Sequence, residues 1–281
     1  MLVTNDVALI TFVPFTCSLL QRDDQRKILL RIVVIEAAAA NLGSMATPIG
    51  NPQNLYLYST YSFSLGTFFK TILPIVGISY IGLLFSLLLI PQQPLAAEIP
   101  TESHLPLSAQ KKNLIIYSIL GVVCLTTVAG LVTHVVCFCV VLLGIIVTDR
   151  ALIRRVDWEL LLTFVCFFLF SGNLQQIESV RNLMMQGLSG GVCLTAALVS
   201  QVISNVPAAV LLSGFTEQGK ELLMGVDIGG LGTPIASLAS LIAYQYYAKS
   251  KLANPAKYLQ FFFIYQFIGL FLLLAMKFIM L

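Results

Sequence analysis

From Tyr258 to Leu281 the chain runs 24 residues with one charged side chain, Lys277. At 1.5 Å per residue such a run covers the roughly 30 Å hydrocarbon core of a bilayer, and a water-soluble domain has no way to bury it on every side. Apolar runs at Phe68 to Ile90, Leu114 to Gly130 and Leu160 to Ser171 repeat the pattern. Composition agrees: 58% of the 281 residues are hydrophobic, 10% are charged and mean hydropathy is +0.90, where a soluble domain carries about a quarter charged residues. The chain is therefore expected to be an all-α polytopic membrane protein, multi-pass in the cell (plasma or inner) membrane.

A net charge of +3 is too small to indicate a nucleic-acid partner, and the basic residues report topology instead. Twelve of the sixteen Lys and Arg fall in segments 21–31, 91–113, 149–157 and 249–257, which the positive-inside rule places together in the cytoplasm. That placement requires 7–20 and 187–216 to dip into the membrane and return to the side they came from. The segment 91–113, with four prolines, reads as a cytoplasmic linker between a first part, 1–90, and a second, 114–281. Cys17, Cys124, Cys137, Cys139, Cys166 and Cys193 all sit in apolar runs without C-x-x-C spacing, and no carboxylate stands at helical spacing from His104 or His134. Neither a metal centre nor a resident cofactor is expected. The motifs of an intramembrane enzyme, paired aspartates or H-E-x-x-H, are absent as well, so no catalytic residues are assigned.

Two polar elements recur in the same order. "TNDVALITFVPF" from Thr4 matches "SNVPAAVLLSGF" from Ser204, and "NLGSMATPIGN" from Asn41 matches "DIGGLGTPIAS" from Asp227. In the second pair Gly43 aligns with Gly229, and Thr47-Pro48-Ile49 with Thr233-Pro234-Ile235. Proline removes a backbone donor and glycine releases the chain from helical geometry, so each element must break a helix. Broken backbone at membrane depth is tolerated where it lines a cavity or is buried in protein. Its free N–H groups attract anions and its free carbonyls attract cations. Repeats of opposite orientation built on such breaks mark secondary transporters, whose substrate and coupling ion meet near the membrane midplane.

The segments SNVPAAVLL, ATPIGNPQN, GVDIGGLGTPIASLAS and DWELLLTFVCFFLFSGNL resemble the ion transporter superfamily, which includes citrate-transporter-like anion permeases, sodium/dicarboxylate symporters and arsenite/antimonite permeases. The resemblance covers nearly the whole chain and implies an inverted-repeat transporter with two re-entrant hairpins and two broken helices. It places the first hairpin tip at Thr4, Asn5 and Asp6 and the first break at Thr47, Pro48, Gly50 and Asn51. The second tip falls at Ser204, Asn205 and Pro207, and the second break at Gly232, Thr233, Pro234 and Ser237. These residues are expected to bind a small anion, a carboxylate such as citrate or a dicarboxylate or an oxyanion such as arsenite, together with Na⁺ or H⁺ as coupling ion. A homodimer in the bilayer is implied too. The third tip residue is Asp6 in one half and Val206 in the other, where the sodium/dicarboxylate pattern has Thr, and GVDIGG looks closer to the arsenite permeases. About 94 residues run from Lys111 to Asn205, whereas four precede Asn5, so the resemblance implies a leading stretch of roughly that size before the first tip.

Asp6, Glu36 and Asp227 are the carboxylates expected at membrane depth, where ionisable groups are costly and usually functional. Asp227, aligned with Asn41, and Asp6 are the candidates for ion coupling, or else caps of half-helix starts. Glu36, five residues from Arg31, is set outside the site, with an interfacial ion pair as one explanation for it. Two further readings stay open from sequence: a sodium/proton antiporter, and a truncated membrane fragment that does not itself transport.

Overall fold

The computed structural model describes residues 4–91, 107–128, 130–154, 156 and 158–280; most of the linker at 91–113 lies outside them. The helices are α1 (Asn5–Leu19), α2 (Arg26–Ser44), α3 (Pro52–Thr60), α4 (Leu65–Leu88), α5 (Leu107–Val128), α6 (His134–Thr148), α7 (Ala151–Arg154), α8 (Trp158–Gln176), α9 (Glu178–Gly190), α10 (Val192–Ile203), α11 (Asn205–Ser213), α12 (Gly219–Ile228), α13 (Leu238–Ala248) and α14 (Pro255–Met280). No strand occurs among the described residues. Among the described residues two helices, α4 and α14, are long and apolar enough to cross a membrane alone. α8 and α9 qualify together but meet at a 91° bend. The remaining apolar helices are shorter because Gly, Pro, Ser and Thr interrupt the runs seen in sequence.

The chain divides into two compact units, one of residues 1–97 and 166–281, the other of residues 98–165. In the smaller unit α5 packs on α6, with Leu120 lying against Gly144.

In the larger unit every packing contact of the first repeat has a counterpart in the second. α1 packs on α2 and α13, and α11 on α12 and α3. α2 packs on α13, α4 and α14, and α12 on α3, α14 and α4. Exchanging α1 to α4 with α11 to α14 leaves this pattern unchanged, as a pseudo-two-fold axis requires.

The consequence is two apolar cores that mix the halves. One joins Leu9 and Val13 of α1 and Val33, Val34 and Ala37 of α2 to Ala243 and Tyr247 of α13 and Tyr258 and Phe262 of α14. Its aromatic spine is a stack, Tyr247 on Tyr258 at 4.7 Å and Tyr258 on Phe262 at 5.9 Å. The other core joins Leu57 of α3, Phe68 and Ile72 of α4, Ala196 of α10, Ala208 and Leu212 of α11 and Leu222 and Val226 of α12. Each core thus draws on both repeats, the second also taking in Ala38 and Leu42 of α2 and Leu270, Leu273 and Leu274 of α14.

Candidate functional site

At the first break α2 stops at Ser44 and the chain restarts at Pro52, whose missing N–H is harmless at a helix start. Asn51 caps α3, its side chain accepting from the Asn54 N–H at 2.9 Å. The carbonyls freed by the break are not left bare: Asn54 Nδ2 donates to Met45 O and Thr47 O, both at 3.3 Å. The backbone crosses itself tightly here. A Cβ on Gly50 would lie 2.0 Å from Ser44 O, so the position admits glycine alone.

At the second break α12 stops at Ile228, a short 3₁₀ turn covers Pro234–Ala236, and Ser237 caps α13 by accepting from the Ala239 N–H at 3.2 Å. Here the freed backbone is gathered by Gln201 of α10. Its Nε2 donates to Gly229 O at 2.8 Å and Leu231 O at 2.9 Å, while its Oε1 accepts from the Thr233 N–H at 2.8 Å. Thr233 Oγ1 returns a bond to Gln201 O at 2.9 Å. Gly232 has φ +108°, and a Cβ there would meet Gln201 Oε1 at 2.2 Å.

Each tip docks on the break of its own half. The Asn5 N–H donates to Gly50 O at 3.2 Å, and Ser204 Oγ donates to Ala236 O at 3.4 Å, Gly50 and Ala236 being equivalent positions. Asn5 Oδ1 also accepts from the Asp6 N–H at 2.9 Å. Ser204 sits between α10 and α11 at φ +75° and ψ 154°, a region that non-glycine residues rarely enter and that clusters at functional sites. At 1.5 Å per residue the twelve-residue α10 and nine-residue α11 are each too short to cross a bilayer, and the chain turns between them. From the side, α8 holds α11: Ser171 Oγ donates to Pro207 O at 3.1 Å, and Gln175 Nε2 donates to Val210 O and Leu211 O at 2.9 and 3.0 Å. Those last two carbonyls lie at the helix end, where the helix itself offers no donor.

The halves are joined by two bonds that the pseudo-two-fold axis interchanges. Ser237 Oγ donates to Asn41 Oδ1 at 2.7 Å, and Asn51 Nδ2 donates to Asp227 Oδ1 at 3.3 Å. Asn41 is equivalent to Asp227, and Asn51 to Ser237, so each break's cap reaches the helix end of the other half. Around these bonds Asn41 Nδ2 donates to Gly230 O and Ser240 Oγ, and Gln53 Nε2 adds a second bond to Asp227 Oδ1 at 3.3 Å. Asp227 is 2% exposed, and its Oδ2, like Asn54 Oδ1, is buried without a hydrogen-bond partner among the described residues.

The structure therefore gathers Asn5, Gly50 and Asn51 with Asp227, and Ser204, Gly232, Thr233 and Ser237 with Asn41. Asn5, Asp6, Pro48, Gly50, Asn51, Ser204, Asn205, Pro207, Asp227, Gly232 and Ser237 are buried, while Thr4, Thr47, Thr233 and Pro234 are half-buried. Asp6 lies in the first turn of α1 with Oδ1 buried and unpartnered among the described residues. Sequence reasoning missed Gln53, Asn54 and Gln201, which wire the breaks. The signal for them was a primary amide inside or beside an apolar run, the same signal that marked Asn41.

Comparison with known proteins finds relatives among transporters and membrane proteins. Uncharacterized transporter MJ0456 of Methanocaldococcus jannaschii is 33% identical over 242 residues, which cover 86% of this chain and 65% of that protein. Inner membrane protein YbiR of Escherichia coli is 34% identical over 256 residues, covering 85% of this chain and 64% of that protein. The chain thus spans a little under two thirds of the length of these curated relatives. Residues 1–217 match the family model of the citrate transporter, CitMHS. On that match and those relatives, this multi-pass membrane chain belongs to the citrate transporter (CitMHS) family.

Proposed function

We propose that the chain is the working part of a secondary transporter that carries a small anion across the membrane by alternating access, coupled to Na⁺ or H⁺. The observation that carries this reading is the pair of interchangeable bonds, Asn41 with Ser237 and Asn51 with Asp227. They tie two equivalent tip-and-break units at a point where either half can yield to the other. The starts of α3 and α13, capped by Asn51 and Ser237, supply N–H groups and a positive dipole end for an anion. The coupling cation would meet the free oxygens, Asp227 Oδ2 and Asn54 Oδ1. Lipid, and in a dimer a second copy, would cover the exposed apolar side chains of α4 and α14, such as Ile81, Phe85 and Phe271.

The test is uptake into proteoliposomes of citrate, dicarboxylates or arsenite, each under an imposed sodium or pH gradient. Gradient-driven accumulation of one of these anions is expected. A second reading, a sodium/proton antiporter, draws on the same buried Asp227. It would be favoured by gradient-driven ion exchange with no anion present, and a protein inert in both assays would overturn transport altogether.

A further inference from the structure

Glu36 belongs to neither break. It lies on α2, five residues and about 7.5 Å along the helix from Arg31, and it makes no ion pair among the described residues. Its Oε1 accepts from Thr16 Oγ1 of α1 at 2.5 Å, while Oε2 is buried and has no hydrogen-bond partner among the described residues. Around it stands the core of α1, α2, α13 and α14, which includes Val33, Ala37, Tyr247 and Tyr258. A second orphan belongs to this same cluster: the hydroxyl of Tyr258, a residue with 0% exposure that interacts electrostatically with Glu36.

We propose that Glu36, with Thr16 and the nearby Tyr258, forms a proton-binding site separate from the tips and breaks. An isolated carboxylate among apolar side chains is far costlier than a carboxyl group. Thr16 suits both charge states: its hydroxyl donates to an ionised carboxylate, and its oxygen accepts from a protonated one. A metal ion fits poorly, because hard cations gather six or more oxygens and no group of three or more His, Cys, Asp or Glu occurs among the described residues.

The titratable neighbours are few. Cys17 comes from α1 and Tyr258 from α14, and Tyr244 and Tyr247 of α13 face Tyr258 in turn. On α2 itself, Arg31 is exposed and Arg26 acts on Tyr247. On α4, Lys70 and Tyr80 are exposed; on α12, Asp227 is held by Asn51 and Gln53, and Glu221 pairs with Lys277 of α14 at 2.6 Å. Among the described residues no cation pairs with Glu36, and the proton takes that part.

Infrared difference spectra of the full chain in lipid nanodiscs, recorded against pH, read protonated carboxyl groups directly. A carbonyl component that titrates in the wild type should be lost in Glu36→Gln, retained in Asp227→Asn, and moved in frequency in Tyr258→Phe, which keeps the ring stack. Survival of every titrating component in Glu36→Gln would overturn the site. If that variant does not fold, an unmoved component in Tyr258→Phe overturns it equally. The use of this proton for transport rests on the function proposed above and has its own readout: the pH dependence of uptake should flatten in Glu36→Gln, and an unchanged pH profile would overturn that use. Absence of any uptake by the wild type would remove the transport reading while the infrared component stands.

Discussion

At the end of α2, Asn41 meets Ser237 through an amide and a hydroxyl, whereas at the equivalent end of α12 a carboxylate, Asp227, receives Asn51 and Gln53. The same crossing is therefore neutral on one side and ionisable on the other. A hydrogen bond to a charged group contributes about 1.5–3 kcal/mol against about 1 kcal/mol for a neutral one, so the two crossings differ in strength although their geometry is related. The difference teaches that a symmetric scaffold can confine charge dependence to one of its two joints.

Removing each crossing in turn breaks the comparison most sharply. Asp227→Ala leaves the buried amides of Asn51 and Gln53 without their acceptor, at about 1–3 kcal/mol each, and uptake should vanish; Ser237→Ala should cost about 1 kcal/mol. Thermal unfolding in detergent gives both numbers, and equal losses would mean the crossings are equivalent after all.

The next effect concerns the backbone. Gly50→Ala drives a methyl group into Ser44 O and should cost about 3 kcal/mol. At the equivalent position the second half already carries alanine, and Ala236→Gly should cost less than about 1 kcal/mol. Similar melting temperatures for the two variants would deny the close crossing at the first break.

Moving the charge sharpens the contrast. Asn41→Asp replaces a donor to Gly230 O and Ser240 Oγ with an acceptor, and should destabilise by about 1–3 kcal/mol. Asp227→Asn keeps an acceptor for both amides and should lose about 1 kcal/mol. Unfolding midpoints in denaturant rank the pair, and the reverse order would misplace the charge.

The smallest effect is a gain. Ser204→Gly releases the strain of φ +75° at the loss of one long bond to Ala236 O, for a net stabilisation of about 1 kcal/mol. Uptake should fall, since the tip becomes less fixed. A drop in melting temperature would show that the serine hydroxyl outweighs the strain.

Much of this was legible in the sequence. The repeat of ATPIGN with GTPIAS placed both breaks, because Gly, Pro, Ser and Asn in apolar runs leave few other structures open. What escaped was pairing across the repeats. Nothing in the order of residues ties Asn51 to Asp227, which are brought together by the exchange of α3 and α13 between the cores. Nor does local spacing report the surroundings of Glu36. Five residues turn a helix by about 500°, which places Arg31 and Glu36 roughly 140° apart, and Glu36 faces Thr16 instead. The amides that wire the breaks, Gln53, Asn54 and Gln201, were visible as polar residues, but Asn54 and Gln201 donate to backbone carbonyls, which carry no mark in a sequence, and Gln53 reaches a carboxylate of the other half.

The mixing of halves in each core bears on how the chain is made. The core around Leu9, Val13 and Val33 is closed by Tyr247, Tyr258 and Phe262, so α1 and α2, though they pack on each other, lack their partners on α13 and α14 until those helices have been synthesised. α2 ends at Ser44 and α13 begins at Leu238, and at about 5–20 residues per second the wait is on the order of 10–40 s. Through that interval Asp6, Asn41 and Glu36 reside in a bilayer with none of their later neighbours. The burden on the insertion machinery therefore falls on α1 and α2, and a ribosome stalled before α13 would leave them open to proteolysis.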